Sequence, residues 1–432
     1  MRRLWATFAG GKALGREIPA DCAVLDLGTV QTKALVLQTQ GRDTLVVGAG
    51  KARYEPHVSG MRDARADVRE LAQSCDRALR QAEEMTERYC PRQVVPDWVV
   101  LCVPDCVTVA RTHTVTHQRS SPGHRVTDSE LGDVVRRAQR LALRQLSESI
   151  GQYFAGLGNK LELLETRVAA FQIDGRSVTR PAGLQGEKLA ATVFNVVAPA
   201  SYLRGVEAVA EQLGLEILRV SSSWQALASA MLGRQGLCID VGGSTTDVML
   251  VRNGKARATA GVPLGGRDFT TRLATTFGLS HEDAERLKLA YSGGRLDQRV
   301  APRVGDAVDE LLEEWVKTVE TAVEALCGPE GLPRHLSLCG GGSILPGTAD
   351  VVRSHSWMSR LNCTQRPEVR LMEPGRIPGI LDGTGQLGDP QYTCAMAVAG
   401  YLREGCSGAQ AWESFLWAVE RPDTFVDRGG RT

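Results

Sequence analysis

One pattern occurs twice in this chain, and it limits the possible folds more than any local propensity does. The run Val24-Leu25-Asp26-Leu27-Gly28-Thr29-Val30-Gln31-Thr32-Lys33-Ala34-Leu35-Val36 can be laid over Cys238-Ile239-Asp240-Val241-Gly242-Gly243-Ser244-Thr245-Thr246-Asp247-Val248-Met249-Leu250. Both read as an apolar strand closed by Asp, a turn of small residues, a Thr and a second apolar strand. Glycine permits the bend and the alternation of apolar positions then resumes, so each copy predicts a β-hairpin. A single Asp-apolar-Gly sequence is an ordinary strand end, but two copies whose Asp residues lie 214 positions apart predict two similar lobes.

A third glycine cluster, Gly340-Gly341-Gly342-Ser343-Ile344-Leu345-Pro346-Gly347, follows the short apolar segment Leu336–Cys339 and precedes a helical run from Thr348. A strand, a glycine turn and a helix start form a setting in which backbone N–H groups meet a ligand. The dinucleotide fingerprint GxGxxG is absent here, and Gly10-Gly11-Lys12-Ala13 lacks both the earlier glycine and the hydroxyl residue of a P-loop.

Between the hairpins, Trp98–Val103 is apolar and Thr127-Asp128-Ser129-Glu130 is a capping box. It opens a helix whose face carries Leu131, Val134, Val135, Ala138 and Leu141. Residues 98–180 therefore read as an inserted small α+β unit. Downstream, Ser280-His281-Glu282-Asp283 opens another helix, and Val308, Leu311, Leu312, Trp315 and Val319 mark a long one, the two predicting a helical lid.

The chain has 432 residues, 43% of them hydrophobic and 23% charged, which is the balance of folded domains. A net charge of +1 removes the electrostatic case for a nucleic-acid partner. Eleven cysteines, none in a CxxC pair, favour reduced thiols in the cytoplasm. No apolar run approaches the roughly 18 residues of a spanning helix, and no secretion signal is evident. His113, His117 and His124 with Cys106 do not make a zinc site, because four residues along a strand separate side chains by about 13 Å.

Two glycine hairpins facing each other would offer several N–H groups to a polyphosphate, and an Asp at each strand end, Asp26 and Asp240, would hold a hydrated magnesium between them. Lys33 would add a point charge to the phosphates.

On these motifs the chain resembles the actin-like ATPase superfamily, a two-lobed α/β fold of duplicated ribonuclease-H-like domains. Asp26 to Lys33 matches its first phosphate loop, Asp240 to Asp247 the second, and Leu338 to Gly347 the adenosine loop. The resemblance implies ATP and Mg as cofactors, with Asp26 and Asp240 acting through the metal's waters. Gly28, Thr29, Lys33, Gly242, Gly243, Ser244 and Thr245 would lie on the phosphates, and Gly340, Gly341, Gly342 and Ser343 on the adenosine. Ser244 stands where a third glycine is usual, which narrows the room beside the phosphates. Ser223–Ser229 resembles the interlobe helix, where the family places a Gln or Glu that orients attacking water, here Gln225. Ala284–Lys288 resembles the helix whose Glu and Lys reach the nucleoside, here Glu285 and Lys288, which are also spaced as a helical ion pair.

The position of the insertion resembles that of the division protein FtsA and the pilus protein PilM, and the segments Phe171–Gly175 and Arg180–Leu189, with the overall length, resemble FtsA. The implied organisation is a first lobe at 20–97 and 181–235, the insertion at 98–180, a second-lobe core at 236–264 and 336–388, a lid at 265–335, a closing helix at 389–410 and a tail at 411–432. The implied function is a self-associating, ATP-binding division adaptor at the inner membrane face, with at most slow ATP hydrolysis. Its partners would be an FtsZ-like filament and further copies of itself. A PilM-like pilus platform with an inner-membrane partner is the alternative reading, and a small-molecule kinase of the same superfamily is a third. Two segments suit a lipid surface: Met1–Leu14, with Arg2, Arg3 and Lys12 beside Leu4, Trp5 and Phe8, and the run Trp412, Phe415, Leu416, Trp417, Val419.

Overall fold

The computed structural model describes residues 19–40, 43–53, 68–150, 160–231, 233, 235–328, 331–354 and 367–402. Both candidate lipid segments, the tail, and the closing segment beyond residue 402 lie outside these residues.

The first hairpin joins β1 (Asp21–Leu27) to β2 (Gln31–Gln40), and β3 (Asp43–Arg53) extends it into an antiparallel meander. After α1 (Val68–Thr86), β4 (Trp98–Val103) returns parallel to β1. Its run Trp-Val-Val-Leu-Cys-Val is buried almost throughout, as a central parallel strand requires.

The chain then leaves the lobe. β5 (Val109–Gln118), β6 (Leu161–Ile173), β7 (Arg176–Val178) and β8 (Lys188–Pro199) make a four-stranded antiparallel sheet in the order β5-β8-β6-β7. One of its faces is covered by α2 (Asp128–Ile150), which buries Leu131, Val134, Val135 and Ala138. Thr127 caps this helix, its Oγ1 accepting from the Glu130 amide at 3.3 Å. The small unit thus runs from 109 to 199 rather than from 98 to 180. β4 belongs to the first lobe, and β8, which pairs with both β5 and β6, is the unit's central strand.

The first lobe resumes with α3 (Ala200–Gln212) and β9 (Glu216–Ser222), which lies parallel to β4, and α4 (Ser223–Ala230) leads out of it. The second lobe repeats the first lobe's plan. A meander of β10 (Gly236–Val241), β11 (Thr246–Arg252) and β12 (Lys255–Val262) is extended by the parallel strands β13 (His335–Cys339) and β14 (Glu368–Leu371), in the order β12-β11-β10-β13-β14. The first lobe's corresponding order is β3-β2-β1-β4-β9. The repetition extends to register: Asp26 pairs with Lys33 and lies beside Cys102, and Asp240 pairs with Asp247 and lies beside Cys339.

Helices α5 (Gly266–Phe277), α6 (His281–Ser292) and α7 (Ala301–Cys327), followed by α8 (Thr348–Arg353), cover the outer face of the second sheet. The expected lid is therefore also a wall of the core. Trp315 of α7 is fully buried, and its Nε1 donates to Thr246 Oγ1 at 2.8 Å. β15 (Ile380–Asp382) crosses back to pair with β3, and α9 (Thr393–Tyr401) follows. One apolar cluster unites α4 and α9 with residues of both sheets, so these two helices lie between the lobes.

Candidate functional site

The C-terminal ends of β1, β4 and β9 in the first lobe, and of β10 and β13 in the second, carry most of the expected site. In α/β folds such ends are where ligands bind. Asp26 accepts from Lys33 Nζ at 2.8 Å, and both side chains are buried. Burial works against the Lys33 charge, but the Asp26 carboxylate outweighs it and raises the ammonium's pKa. At the equivalent place in the second lobe a carboxylate faces a carboxylate, Asp240 opposite Asp247. Burial raises the Asp240 carboxyl, a rise that hydrogen bonding from Cys394 and the charge of Lys33 reduce. Burial and the charge of Asp240 push Asp247 up to about 7, although Thr245 Oγ1 donates to its Oδ2 at 2.9 Å.

Cys394, in the first turn of α9, donates its thiol to Asp240 Oδ2 at 3.1 Å. On the other side of Asp240 lies Gly340, with φ of +80°. A Cβ at that glycine would come within 2.1 Å of Asp240 Oδ1, so the turn closes here only with glycine. Ser343 is spent within that turn, its hydroxyl donating to the Gly340 carbonyl at 2.7 Å, and Gly342 rests against Val241. Gly341 and Ile344 are exposed.

The two glycine hairpin turns touch. The Ser244 amide donates to Thr29 Oγ1 at 3.1 Å, and Gly243 packs on Val30 so closely that an added Cβ would lie 2.5 Å from its Cγ2. The Gly28 amide bends back to the Asp26 carbonyl at 3.1 Å. The carbonyls of Gly242 and Gly243 accept from the Gly266 and Arg267 amides at 2.9 and 2.7 Å, anchoring the second loop on the start of α5. Lys288 Nζ supports the same helix start, donating to the Gly266 carbonyl at 2.7 Å. Glu285 lies 2.7 Å from Lys288 Nζ and 2.5 Å from Arg53 Nη2, which reaches it from the first lobe. Burial would raise Glu285, but the Lys288 charge and hydrogen bonds from Lys288, Thr270 and Arg53 hold it down at about 2.

Gln225 lies apart from this group. Its Nε2 donates to the Gly254 carbonyl at 2.9 Å, and its Oε1 accepts from the Ala256 amide at 3.4 Å. Both partners lie at the β11–β12 turn, six residues along β11 from Thr246, or about 20 Å at strand rise. The cause is helical phase: Gln225 is two positions past Ser223, about 200° around α4, so the two side chains leave on opposite sides. Ser223 is the one directed to the strand ends, where its hydroxyl donates to Asp105 Oδ2. Sequence reasoning missed Ser223, Asp105, Cys394 and Arg53. Asp105 alone carried a signal, being an acidic residue just beyond an apolar strand, as Asp26 and Asp240 close theirs.

A family model described as cell division protein FtsA matches residues 237–397. Cell division protein FtsA of Pseudomonas aeruginosa is 26% identical over 245 residues, covering 51% of this chain and 57% of that protein. The Helicobacter pylori protein is 24% identical over 275 residues, 58% of this chain and 55% of that one. The match therefore spans little more than half the length of these relatives. FtsA of Bacillus subtilis is 22% identical over 411 residues, 89% of this chain and 83% of the relative. Among solved structures, the PilM-PilN type IV pilus biogenesis complex superposes with a TM-score of 0.63 at 18% identity, covering 88% of this chain and 97% of that one. The chain thus has the two-lobed actin-like ATPase fold and resembles in sequence the cell division protein FtsA.

Proposed function

We propose that the chain binds ATP with magnesium between its lobes and acts as a self-associating division adaptor at the inner face of the membrane. The observation that carries the nucleotide reading is the charge of the strand ends. Asp240 and Asp247 face each other across the second hairpin, Asp247 buried and Asp240 half-buried, each with a raised pKa. Such a group calls for a cation. Asp26 and Asp240 would hold magnesium through its waters, and the ion would supply charge neutralisation on the phosphate oxygens.

In this reading Lys33 and the turns Gly28–Thr29 and Gly242–Thr245 bind the phosphates, the Ser244 amide by exchanging Thr29 for them. Glu285 and Lys288 bind the nucleoside together with the loop Gly340–Ser343, whose Gly341 is exposed. Glu285 reaches the nucleoside by exchanging Arg53 for it. Gln225 takes no part in aligning water.

The sequence similarity to FtsA supports the adaptor part, with an FtsZ-like filament as partner and the small sheet together with the second lobe as the self-association surfaces. The pilus platform is the second reading, to which the PilM likeness lends its architecture. Among the described residues no helix is long and apolar enough to cross a membrane. In this reading the segments proposed for membrane contact are Met1–Leu14 and Trp412–Val419. Sedimentation of the full chain with anionic vesicles, with and without Mg-ATP, tests the adaptor reading. Nucleotide-dependent pelleting with vesicles is expected, together with growth in light scattering. A chain that binds ATP yet stays monomeric and in the supernatant contradicts it.

A further inference from the structure

Just beyond the end of β4 one acidic side chain is only half accounted for. Asp105 follows Pro104 directly after β4, the strand beside β1, and Ser223 directly follows β9, the strand beside β4. The register Val103–Ser222 brings the two together beyond the same sheet end that carries Asp26. The Ser223 hydroxyl donates to Asp105 Oδ2, and the Ser223 amide bonds the same carboxylate. Trp224, the next residue, fixes the start of α4, its Nε1 donating to Thr108 Oγ1 at 3.2 Å. Asp105 is thus held from two directions, by its own short turn and by the interlobe helix.

Holding the helix start needs only one carboxylate oxygen. The other, Oδ1, is buried and has no partner, although buried acceptors without donors are costly and uncommon. Asp105 also lies within electrostatic reach of Asp247 and Asp240, so it belongs to the second lobe's half of the cleft as much as to the first.

We propose that Asp105, oriented by Ser223, is the catalytic residue that aligns attacking water and takes its proton when ATP is hydrolysed in this cleft. The inference rests on the ATP-binding reading above. In the step, the water oxygen bonds to the γ-phosphorus while a water proton passes to Asp105 Oδ1. The bond from the γ-phosphorus to the bridging oxygen breaks, and its electron pair leaves on ADP. Inorganic phosphate is the other product, and Asp105 returns the proton to solvent. Burial and the charge of Asp247 raise the Asp105 carboxyl, which makes it the stronger base once it is ionised. Ser223 acts as a positioning residue, since it reaches the water only through the carboxylate.

The test measures Mg-ATP affinity by calorimetry and phosphate release under saturating ATP, on the full chain and on Asp105→Asn, Asp105→Glu and Ser223→Ala. Asp105→Asn is expected to bind ATP with wild-type affinity and to lose turnover by about 100-fold or more, the range for removing a general base. Asp105→Glu, which keeps the base, is expected to recover part of the rate. Ser223→Ala is expected to lower turnover about 10-fold with affinity unchanged, which is smaller than loss of the base itself. Should Asp105→Asn fail to fold, the Ser223→Ala result decides alone. Wild-type turnover in Asp105→Asn or in Ser223→Ala overturns the proposal, as does a wild-type chain that binds ATP without hydrolysing it. A wild-type chain that does not bind ATP overturns the ATP-binding reading and this proposal together.

Discussion

Lys33 and Asp247 occupy the same place in the two lobes, each paired across its hairpin with the Asp that closes the first strand. In the first lobe the pair is an ion pair, and in the second it is a repulsion. The sequence overlay already aligned these two positions. The consequence of their opposite charges was not legible, because it depends on burial that only the assembled lobes supply. Asp247 holds its proton in the folded chain up to about pH 7, whereas the unfolded chain releases it near the ordinary carboxyl value of 3.8. The folded state then binds the extra proton between these values, so this group's contribution to stability is full below the lower one and is lost as pH rises through the upper one. Asp247→Asn removes the dependence while keeping an acceptor for Thr245. Without nucleotide or magnesium, the variant is expected to be more stable than wild type at pH 8 by on the order of 1 kcal/mol, and closer to it at pH 4. Denaturant unfolding at both pH values measures this, and equal or lower stability of the variant at pH 8 contradicts the buried repulsion.

At the scale of elements, what was local in the sequence was read and what depended on distant pairing or on phase was not. Both hairpins, the capped helices at Thr127 and Ser280, and the strand-turn-helix at Leu336–Thr348 are each specified by consecutive residues, and all formed as expected. The edges of the insertion are not so specified. Trp98–Val103 and Lys188–Pro199 are both apolar runs, and only their partners, β1 and β9 for one and β5 and β6 for the other, decide which sheet each joins. Gln225 illustrates phase: placing it on the correct helix was possible, but the 200° between it and Ser223 turned it to the β11–β12 turn. There it is a clamp, and Gln225→Ala leaves the Gly254 carbonyl and the Ala256 amide without this partner. A loss of about 1–3 kcal/mol is expected in denaturant unfolding, and a change below about 0.5 kcal/mol would show that the clamp contributes nothing.

Across the whole molecule, the contacts over the cleft include Ser244 to Thr29 at 3.1 Å, Glu285 to Arg53 at 2.5 Å, and Gln31 to Gln391 at 2.8 Å. Beneath them α4 and α9 share one apolar cluster with both sheets, so the lobes rest on a common packed floor. A nucleotide that bridges both phosphate loops would replace the first two contacts with its own and couple its binding to the angle between the lobes. The central claim is that the two duplicated strand ends form one nucleotide site. Its most direct test is calorimetric titration of the full chain with ATP in magnesium, repeated with Asp240→Ala. The account predicts one site per chain in the wild type and an affinity lower by about tenfold or more in the variant, equivalent to about 1.4 kcal/mol. Absence of binding to the wild type, or binding that Asp240→Ala leaves unchanged, would contradict it.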